Sequence, residues 1–280
     1  MHDETITSYL ARLAHANRLD PDALRVHVTA DKRKTAPVPV GVLCTLSGQS
    51  ERALRLAIPE LNTTAELAAL PATNRTGTTG GDRPACRLCA AARGHTGQPR
   101  CRNRPEDIVC LRHRRWLSDG DDTADPRQPD LTGVPAVLSA NLAHRRLIRS
   151  HGHPATAEAF TLAREICRHW HERREHQQQY FELMAILRPG RTQTSATDPA
   201  AFAARYPQTV AVTRLLASPH WRGTAQQGWP RPTQFIAELR RTAAPQFRWN
   251  LDYPHGPREP LIKVIINDRI RLGHDDAYGP

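Results

Sequence analysis

Cys86-Arg87-Leu88-Cys89 and Cys110-Leu111-Arg112-His113 each place two potential metal ligands three positions apart, and these two pairs decide the fold of the region between them. Twenty residues separate Cys89 from Cys110. Paired tight turns of this kind are typical of a zinc ribbon, in which each turn supplies two ligands of a tetrahedral site. The sequence therefore predicts one structural Zn2+ bound by Cys86, Cys89, Cys110 and His113. Four protein ligands leave no coordination position for an activated water.

The remaining cysteines are interpreted differently. Cys101 lies between the two pairs, flanked by arginines, and we interpret it as a non-ligand, although it could replace Cys110 or His113. Cys44 and Cys167 fall on apolar helix faces and are predicted to be core residues. No window is apolar for long enough to cross a bilayer, and the acidic start does not resemble a secretory signal. We therefore expect a cytoplasmic protein with reduced thiols and no membrane partner.

The region around the metal ligands is also the most basic part of the chain. The net charge is +11, and only three of the 39 basic residues are lysines. A GC-rich coding sequence would also favour arginine, but the local density exceeds the chain average. Guanidinium groups pair well with phosphate, so this density favours contact with nucleic acid. The arginines of this region are Arg83, Arg87, Arg93, Arg100, Arg102, Arg104, Arg112, Arg114 and Arg115. The predicted DNA contacts among them are Arg87, Arg100, Arg102, Arg104, Arg112, Arg114 and Arg115.

Helical periodicity dominates on both sides of the ribbon, so the predicted fold class is mainly α. We predict an N-terminal helical, helix-turn-helix-like unit at 1–71, the zinc ribbon at 82–118, a helical region at 131–190 and a C-terminal helical region at 198–280. Polar segments at 72–84 and 118–130 are the predicted linkers.

The N-terminal unit begins with a helix that Thr5 caps, and Asp20-Pro21 opens a second helix. Residues 39–59 are predicted to form two helices joined by a turn, with Ser50 as the cap of the second helix. That second helix would present Arg52 and Arg55 to DNA. An ordinary αα-hairpin that packs on the first helix explains the same pattern equally well.

The second half of the chain also has the spacing of helices. We predict a helix at 137–150, an apolar stripe from Thr156 onward that forms one long helix or two in tandem, and a break at Pro189-Gly190. Shorter helices are predicted around 200–205, 209–217 and 233–241. The apolar run at 261–266 resembles a strand.

Three motifs in order resemble the TniQ family. The first is Asp3-Glu4-Thr5-Ile6-Thr7-Ser8-Tyr9-Leu10-Ala11-Arg12-Leu13-Ala14, and the run 54–61, which ends in Ile-Pro-Glu-Leu, is similar to the next family segment. The second is the Cys/His pairs followed by Trp116-Leu117. The third is 144–149 with His151-Gly152. The resemblance covers about residues 3–152, and the second zinc ribbon that many members have is not found here.

The resemblance implies a target-selection adaptor for a bacterial DDE transposon, which catalyses nothing itself. Such an adaptor binds double-stranded target DNA or a guide-RNA complex, and recruits an AAA+ ATPase that directs the transposase, so it would be found at the nucleoid. The lack of a Gly-x4-Gly-Lys-Ser/Thr loop agrees that the chain is not the ATPase. We expect the ATPase to contact Asp3, Glu4 and Arg12 on the outside of the first helix, and a homodimer is compatible with this role.

Two other functions use the same residues. A zinc-ribbon transcriptional regulator would bind DNA without an ATPase. A zinc-dependent hydrolase or nuclease would use only three of the four ligands and leave the metal open. The enzyme is disfavoured because the cluster lacks the His-x-Glu of zinc deaminases and the His-Glu-x2-His of zincins.

Overall fold

The computed structural model describes residues 3–31, 33, 36–63, 82–95, 98–117, 128–172, 178–190, 198–227, 233–243, 261, 264 and 265. The chain divides into two compact units, one of residues 1–119 and 123–128 and the other of residues 120–122 and 129–280. Most of the described residues are helical, which confirms the predicted fold class. Both predicted linkers lie largely outside the described residues. None of the described helices is long and apolar enough to cross a membrane.

The first unit begins with two pairs of short helices. Their bounds are α1 (Ile6–Ala16), α2 (Pro21–Thr29), α3 (Val40–Ser47) and α4 (Glu51–Ala57), followed by a 3-10 turn at Pro59–Leu61. The predicted caps are confirmed, because Thr5, Asp20 and Ser50 accept hydrogen bonds from the backbone N–H of Ser8, Ala23 and Ala53. Side-chain caps satisfy N–H groups that the first helical turn leaves without a partner.

A small apolar core holds these helices together. Gly48 ends α3 with φ of +65°, a conformation that glycine adopts without strain, and the chain then turns directly into α4. The helices pack as the pairs α1–α2 and α3–α4. The buried residues of the core are Leu10, Ala14, Leu24, Val28, Leu43, Leu54 and Ile58. Cys44 packs against this core, as predicted.

Two short antiparallel sheets and one short helix form the rest of the first unit. Strand β1 (Asp82–Pro84) pairs with β2 (Arg100–Arg102), and β3 (Val109–Cys110) pairs with β4 (Arg115–Trp116). Helix α5 (Arg87–Ala91) lies between β1 and β2 in the sequence. These elements carry the predicted metal ligands.

The second unit is helical in its described part. Its helices are α6 (Pro135–His151), α7 (His153–Glu172), α8 (Gln178–Leu187), α9 (Pro199–Ala217), α10 (Pro219–Gln227) and α11 (Thr233–Ala243). The core lies mainly between α7, α9 and α11, and it includes Ile166, Trp170, Leu215 and Phe235. Cys167 is buried in the same core, as predicted.

Two predictions for the second unit were wrong. The shorter helices expected at 200–205 and 209–217 are one helix, α9, which runs through Pro207. Proline removes one helical hydrogen bond, but α9 is buried on nearly all sides, so packing outweighs that loss. The expected strand at 261–266 is also wrong, because Leu261, Val264 and Ile265 are helical and pack on the core. A short apolar run does not distinguish a strand from a buried helix.

Candidate metal centre and its arginines

The predicted ligands come from three elements and the turns beside them. Cys86 is the residue before α5, Cys89 lies within α5, and Cys110 ends β3. His113 belongs to the turn between β3 and β4, and Arg114 after it has φ of +48°. A left-handed residue lets the chain reverse within four residues, so the turn brings His113 back toward Cys110.

The four predicted ligands form one cluster, whose ligand atoms all lie within 4.8 Å of one another. The Nδ1 atom of His113 lies 3.5 Å from Sγ of Cys86, 3.2 Å from Sγ of Cys89 and 3.7 Å from Sγ of Cys110. The Sγ atoms of Cys89 and Cys110 are 3.8 Å apart. The cluster therefore has the donor set that the sequence predicts, with Nδ1 as the imidazole ligand.

These separations fit a tetrahedral metal ion. Zinc bonds of about 2.3 Å to sulfur and about 2.0 Å to nitrogen require S–S edges of about 3.8 Å and S–N edges of about 3.5 Å. The S–S distance and the three S–N distances given above match these edge lengths to within a few tenths of an ångström. The residues can thus hold one metal ion, and a donor set of three sulfurs and one nitrogen favours Zn2+.

Cys110, inside the cluster, and Cys101, outside it, are cysteines with different roles. Burial, opposed by the N–H of His113 and assisted by the nearby Cys86 thiol, raises the pKa of Cys110 to about 12. Metal binding would release that proton, because the thiolate is the ligand. Cys101 lies on β2, and the four clustered ligands do not include it. Burial raises the pKa of the Cys101 thiol to about 11, which makes it unreactive.

Gln128 links the two halves of the metal centre, and the sequence did not reveal it. Its Nε2 donates to the carbonyl of Ala85 at 2.7 Å, and its Oε1 accepts from the N–H of Arg87 at 3.0 Å. The side chain of Arg115 donates to the backbone carbonyl of Gln128 at 3.4 Å. Gln128 is buried, although it lies within the polar segment 118–130 that we interpreted as a linker. An isolated glutamine in such a segment carries no signal of this role.

The residues before α1 pair with β2 through one antiparallel bridge and its backbone hydrogen bonds. Glu4 makes an antiparallel bridge with Cys101, the N–H of Thr5 donates to Arg100, and the N–H of Arg102 donates to Asp3, both at 2.9 Å. The N–H of Glu4 donates in turn to Ala57 at 3.0 Å. The metal region and the helices of this unit are therefore joined through the segment 3–5.

The expectation that Asp3 and Glu4 lie on the outside is wrong. Glu4 is fully buried and accepts two hydrogen bonds from the Arg12 guanidinium, at 3.0 and 2.9 Å. Asp3 is buried and pairs with Arg104 at 3.0 Å. Both carboxylates are removed from solvent, and a guanidinium group neutralises each of them: the half-buried Arg12 for Glu4 and the buried Arg104 for Asp3. The acidic residues Asp3 and Glu4 therefore form ion pairs inside the first unit.

The buried pair also affects the acidity of Glu4. Burial alone would raise the pKa of this carboxyl, but the hydrogen bonds and charge of Arg12 hold it below its usual range. A folded-state pKa below the unfolded value adds stability above the unfolded pKa. That contribution is lost as pH falls through the lowered pKa of Glu4.

The structure divides the predicted DNA-binding arginines into two groups. Those around β2 have internal partners: Arg100 pairs with Asp82, Arg102 approaches Glu60 at 3.9 Å, and Arg104 is buried against Asp3. Arg104 is therefore not available to DNA, contrary to the prediction. Burial removes it from any phosphate, so the high local arginine density partly reflects internal pairing.

The arginines of the metal-binding turns are exposed. Arg87, Arg112 and Arg114 are exposed, and no ion pair joins any of them to another residue in the described part of the chain. Arg93 is also exposed and donates to the carbonyl of Cys89 at 3.1 Å. The metal centre therefore holds a group of cations in solvent.

The hairpin α3–α4 carries the other two predicted contacts. Arg52 is exposed on α4. Arg55 is half-buried, pairs with Glu51 at 2.7 Å and donates to the carbonyl of Leu61. Arg55 thus connects α4 to the 3-10 turn that follows it, whereas Arg52 is exposed to solvent.

The described part of the chain is thus mainly helical, with a candidate Cys3His metal site formed by one short helix and the hairpin β3–β4. The family model described as TniQ matches residues 1–117. This match supports the resemblance to the TniQ family that the sequence motifs had indicated. The similarity at 144–152 falls outside the matched residues and stays a prediction. No curated protein and no solved structure gives a significant match.

The match to TniQ, a family of non-catalytic transposition adaptors, supports a general role in the selection of transposition targets. The matched residues include all four ligands of the metal cluster. The second unit begins beyond the match.

Proposed function

We propose that the chain is a DNA-binding target-selection adaptor of a bacterial DDE transposon, which links target DNA to an AAA+ ATPase and, through it, to the transposase. The single observation that carries the proposal is the match of residues 1–117 to TniQ, a stretch that ends just after the metal-binding turns. Zn2+ would hold these turns in place and supply no chemistry of its own, because four ligands fill its coordination sphere.

Electrostatics supports the DNA-binding part of the proposal. Arg87, Arg112 and Arg114 are exposed without an ion pair in the described part of the chain, on turns that a metal ion would make rigid. Guanidinium groups held in this way release counterions from a phosphate backbone, which is the main source of sequence-independent affinity. Arg52 on α4 is a further candidate for DNA contact. We propose no contact for Arg104 and no partner contact for Asp3 or Glu4.

The test has two arms that use the full chain loaded with zinc. In the first, fluorescence anisotropy with a short duplex should give binding that weakens steeply as salt rises. In the second, the AAA+ ATPase encoded beside this chain should be captured by it in the presence of ATP. A guide-RNA complex or a homodimer would appear in the same capture experiment as an additional component.

The outcomes separate the adaptor from the regulator. Salt-dependent DNA binding together with ATPase capture supports the adaptor. Binding of DNA with no capture under any nucleotide condition would contradict the adaptor and favour the zinc-ribbon regulator. Binding that does not change between low and high salt would contradict the role of the exposed arginines.

A further inference from the structure

Each of the two metal-binding turns carries one leucine and one arginine between its ligands, and we call these two residues the tip of the turn. The first turn has Arg87 and Leu88 between its ligands, and the second has Leu111 and Arg112. Leu88 and Leu111 have the same exposed fraction, 39%. The leucines adjoin Cys89 and Cys110, whose sulfurs are 3.8 Å apart, so the cluster holds the two tips side by side.

The exposure of these leucines needs a reason beyond packing. Neither leucine is a member of the two apolar cores described above. A single exposed leucine is ordinary on a protein surface. Here two leucines occupy adjoining tips of a metal-held element, beside the exposed Arg87, Arg112 and Arg114.

We propose that Leu88 and Leu111 form an apolar wedge that enters the minor groove of DNA and inserts at a base step. The inference rests on the proposed function, and names how the metal centre holds its target. The charge of the surrounding arginines selects a polyanion as the occupant, and Arg87 and Arg112 contact the phosphates on either side of the wedge. Proteins that bind the minor groove insert leucine, among other apolar residues, between base pairs. A rigid support is needed to unstack the bases.

A wedge makes the affinity depend on how easily a base step opens. Unstacking costs the most in a continuous duplex and the least at a mismatch or at a flexible pyrimidine–purine step. The arginine contacts with phosphate do not depend on the sequence. The two contributions can therefore be separated in one binding experiment.

The experiment compares the zinc-loaded wild type with Leu88→Ser/Leu111→Ser, using a short duplex with and without a central mismatch. We expect the wild type to prefer the mismatched duplex roughly tenfold, because part of the unstacking is already done. The double variant should keep one zinc per chain and the salt dependence of the wild type but lose the preference. The matched control is Leu46→Ser/Leu56→Ser, which removes two exposed leucines from α3 and α4 and should keep it.

Each remaining outcome overturns the wedge. If the wild type binds both duplexes equally and with a steep salt dependence, the wedge is wrong and the proposed DNA-binding function stands. If Leu88→Ser/Leu111→Ser binds DNA as the wild type does but no longer captures the ATPase, the tips dock a protein. If the wild type does not bind DNA at any salt concentration, both the wedge and the proposed DNA binding fail.

Discussion

Two sides of the metal region use the same residue type for opposite purposes. Around β2, the arginines meet carboxylates that come from distant parts of the sequence, as Arg104 meets Asp3. In the metal-binding turns, Arg87, Arg112 and Arg114 are exposed without an ion pair in the part of the chain that the structure describes. A cluster of arginines in the sequence therefore does not by itself mark a nucleic-acid surface. An arginine is available to nucleic acid only if the fold does not bring a carboxylate to its guanidinium group.

The largest effect should come from the ligands that hold the turns in place. Cys86→Ser or Cys110→Ser should lose the metal and unfold the metal region, because structural zinc sites bind with apparent free energies of about 10–16 kcal/mol. Metal analysis should give one zinc per wild-type chain and none in the variants. Cys101→Ala is the control and should retain full zinc content, since Cys101 is outside the cluster. Full zinc in both ligand variants would disprove the site.

The next effect concerns the internal side of the comparison. Arg104→Met should destabilise the first unit by about 3–5 kcal/mol, because it leaves the buried carboxylate of Asp3 without its guanidinium partner. Denaturant titration followed by a signal from the first unit measures the change. Arg112→Met removes an exposed arginine and should change the free energy of unfolding by no more than about 0.5 kcal/mol. Equal effects of both variants would abolish the distinction between the two groups.

The third effect concerns the exposed side. Replacing Arg87, Arg112 and Arg114 together with Gln should lower the slope of log K against log salt by about 0.9 for each lost phosphate contact. The measurement is duplex binding over a range of salt concentrations, with the folded state verified by zinc content.

The matched control replaces Arg100 and Arg102 with Gln. Both residues have carboxylate neighbours within the unit, so the slope of log K against log salt should stay close to the wild-type value. A loss of slope in the control that equals the loss in the triple variant would show that the internal pairing does not withhold these arginines from DNA.

The smallest effect should come from the residue that bridges the two halves of the metal centre. Gln128→Ala removes hydrogen bonds to Ala85 and Arg87 and should cost about 1–3 kcal/mol, because it leaves backbone groups unpaired. Zinc content should be unchanged and the free energy of unfolding lower. Gln128→Glu keeps the acceptor for the N–H of Arg87 but places a buried carboxylate oxygen against the carbonyl of Ala85, so a loss at least as large as that of Gln128→Ala is expected. No change in either variant would mean that Gln128 has no bridging role.

Local signals in the sequence predicted much of this molecule. The spacing of Cys86, Cys89, Cys110 and His113 identified the cluster, because each pair needs only one tight turn to bring two ligands together. The helix caps were also found, since a cap and its N–H partner are only three residues apart. Both features depend on neighbours in the chain.

Contacts between distant residues were not predictable in the same way. The burial of Glu4 depends on Arg12 and on the strand that contains Cys101, and no local pattern distinguishes it from an exposed acid. Gln128 gave no signal for the same reason. Packing also decided that Leu261 is helical and that α9 continues past Pro207, against the local preferences of those segments.

The segment 3–5, which pairs with β2, has a consequence for synthesis on the ribosome. Its partners at 100–102 are added about 100 residues later, which takes about 5–20 s at typical translation rates of about 5–20 residues per second. During that interval Glu4 can pair with Arg12, but Arg104, the partner of Asp3, and strand β2 have not yet been made. Residues 3–5 are thus among the last residues of this unit to reach their final position. A pause in translation before codon 100 would lengthen the time for which residues 3–5 are accessible to proteases and chaperones.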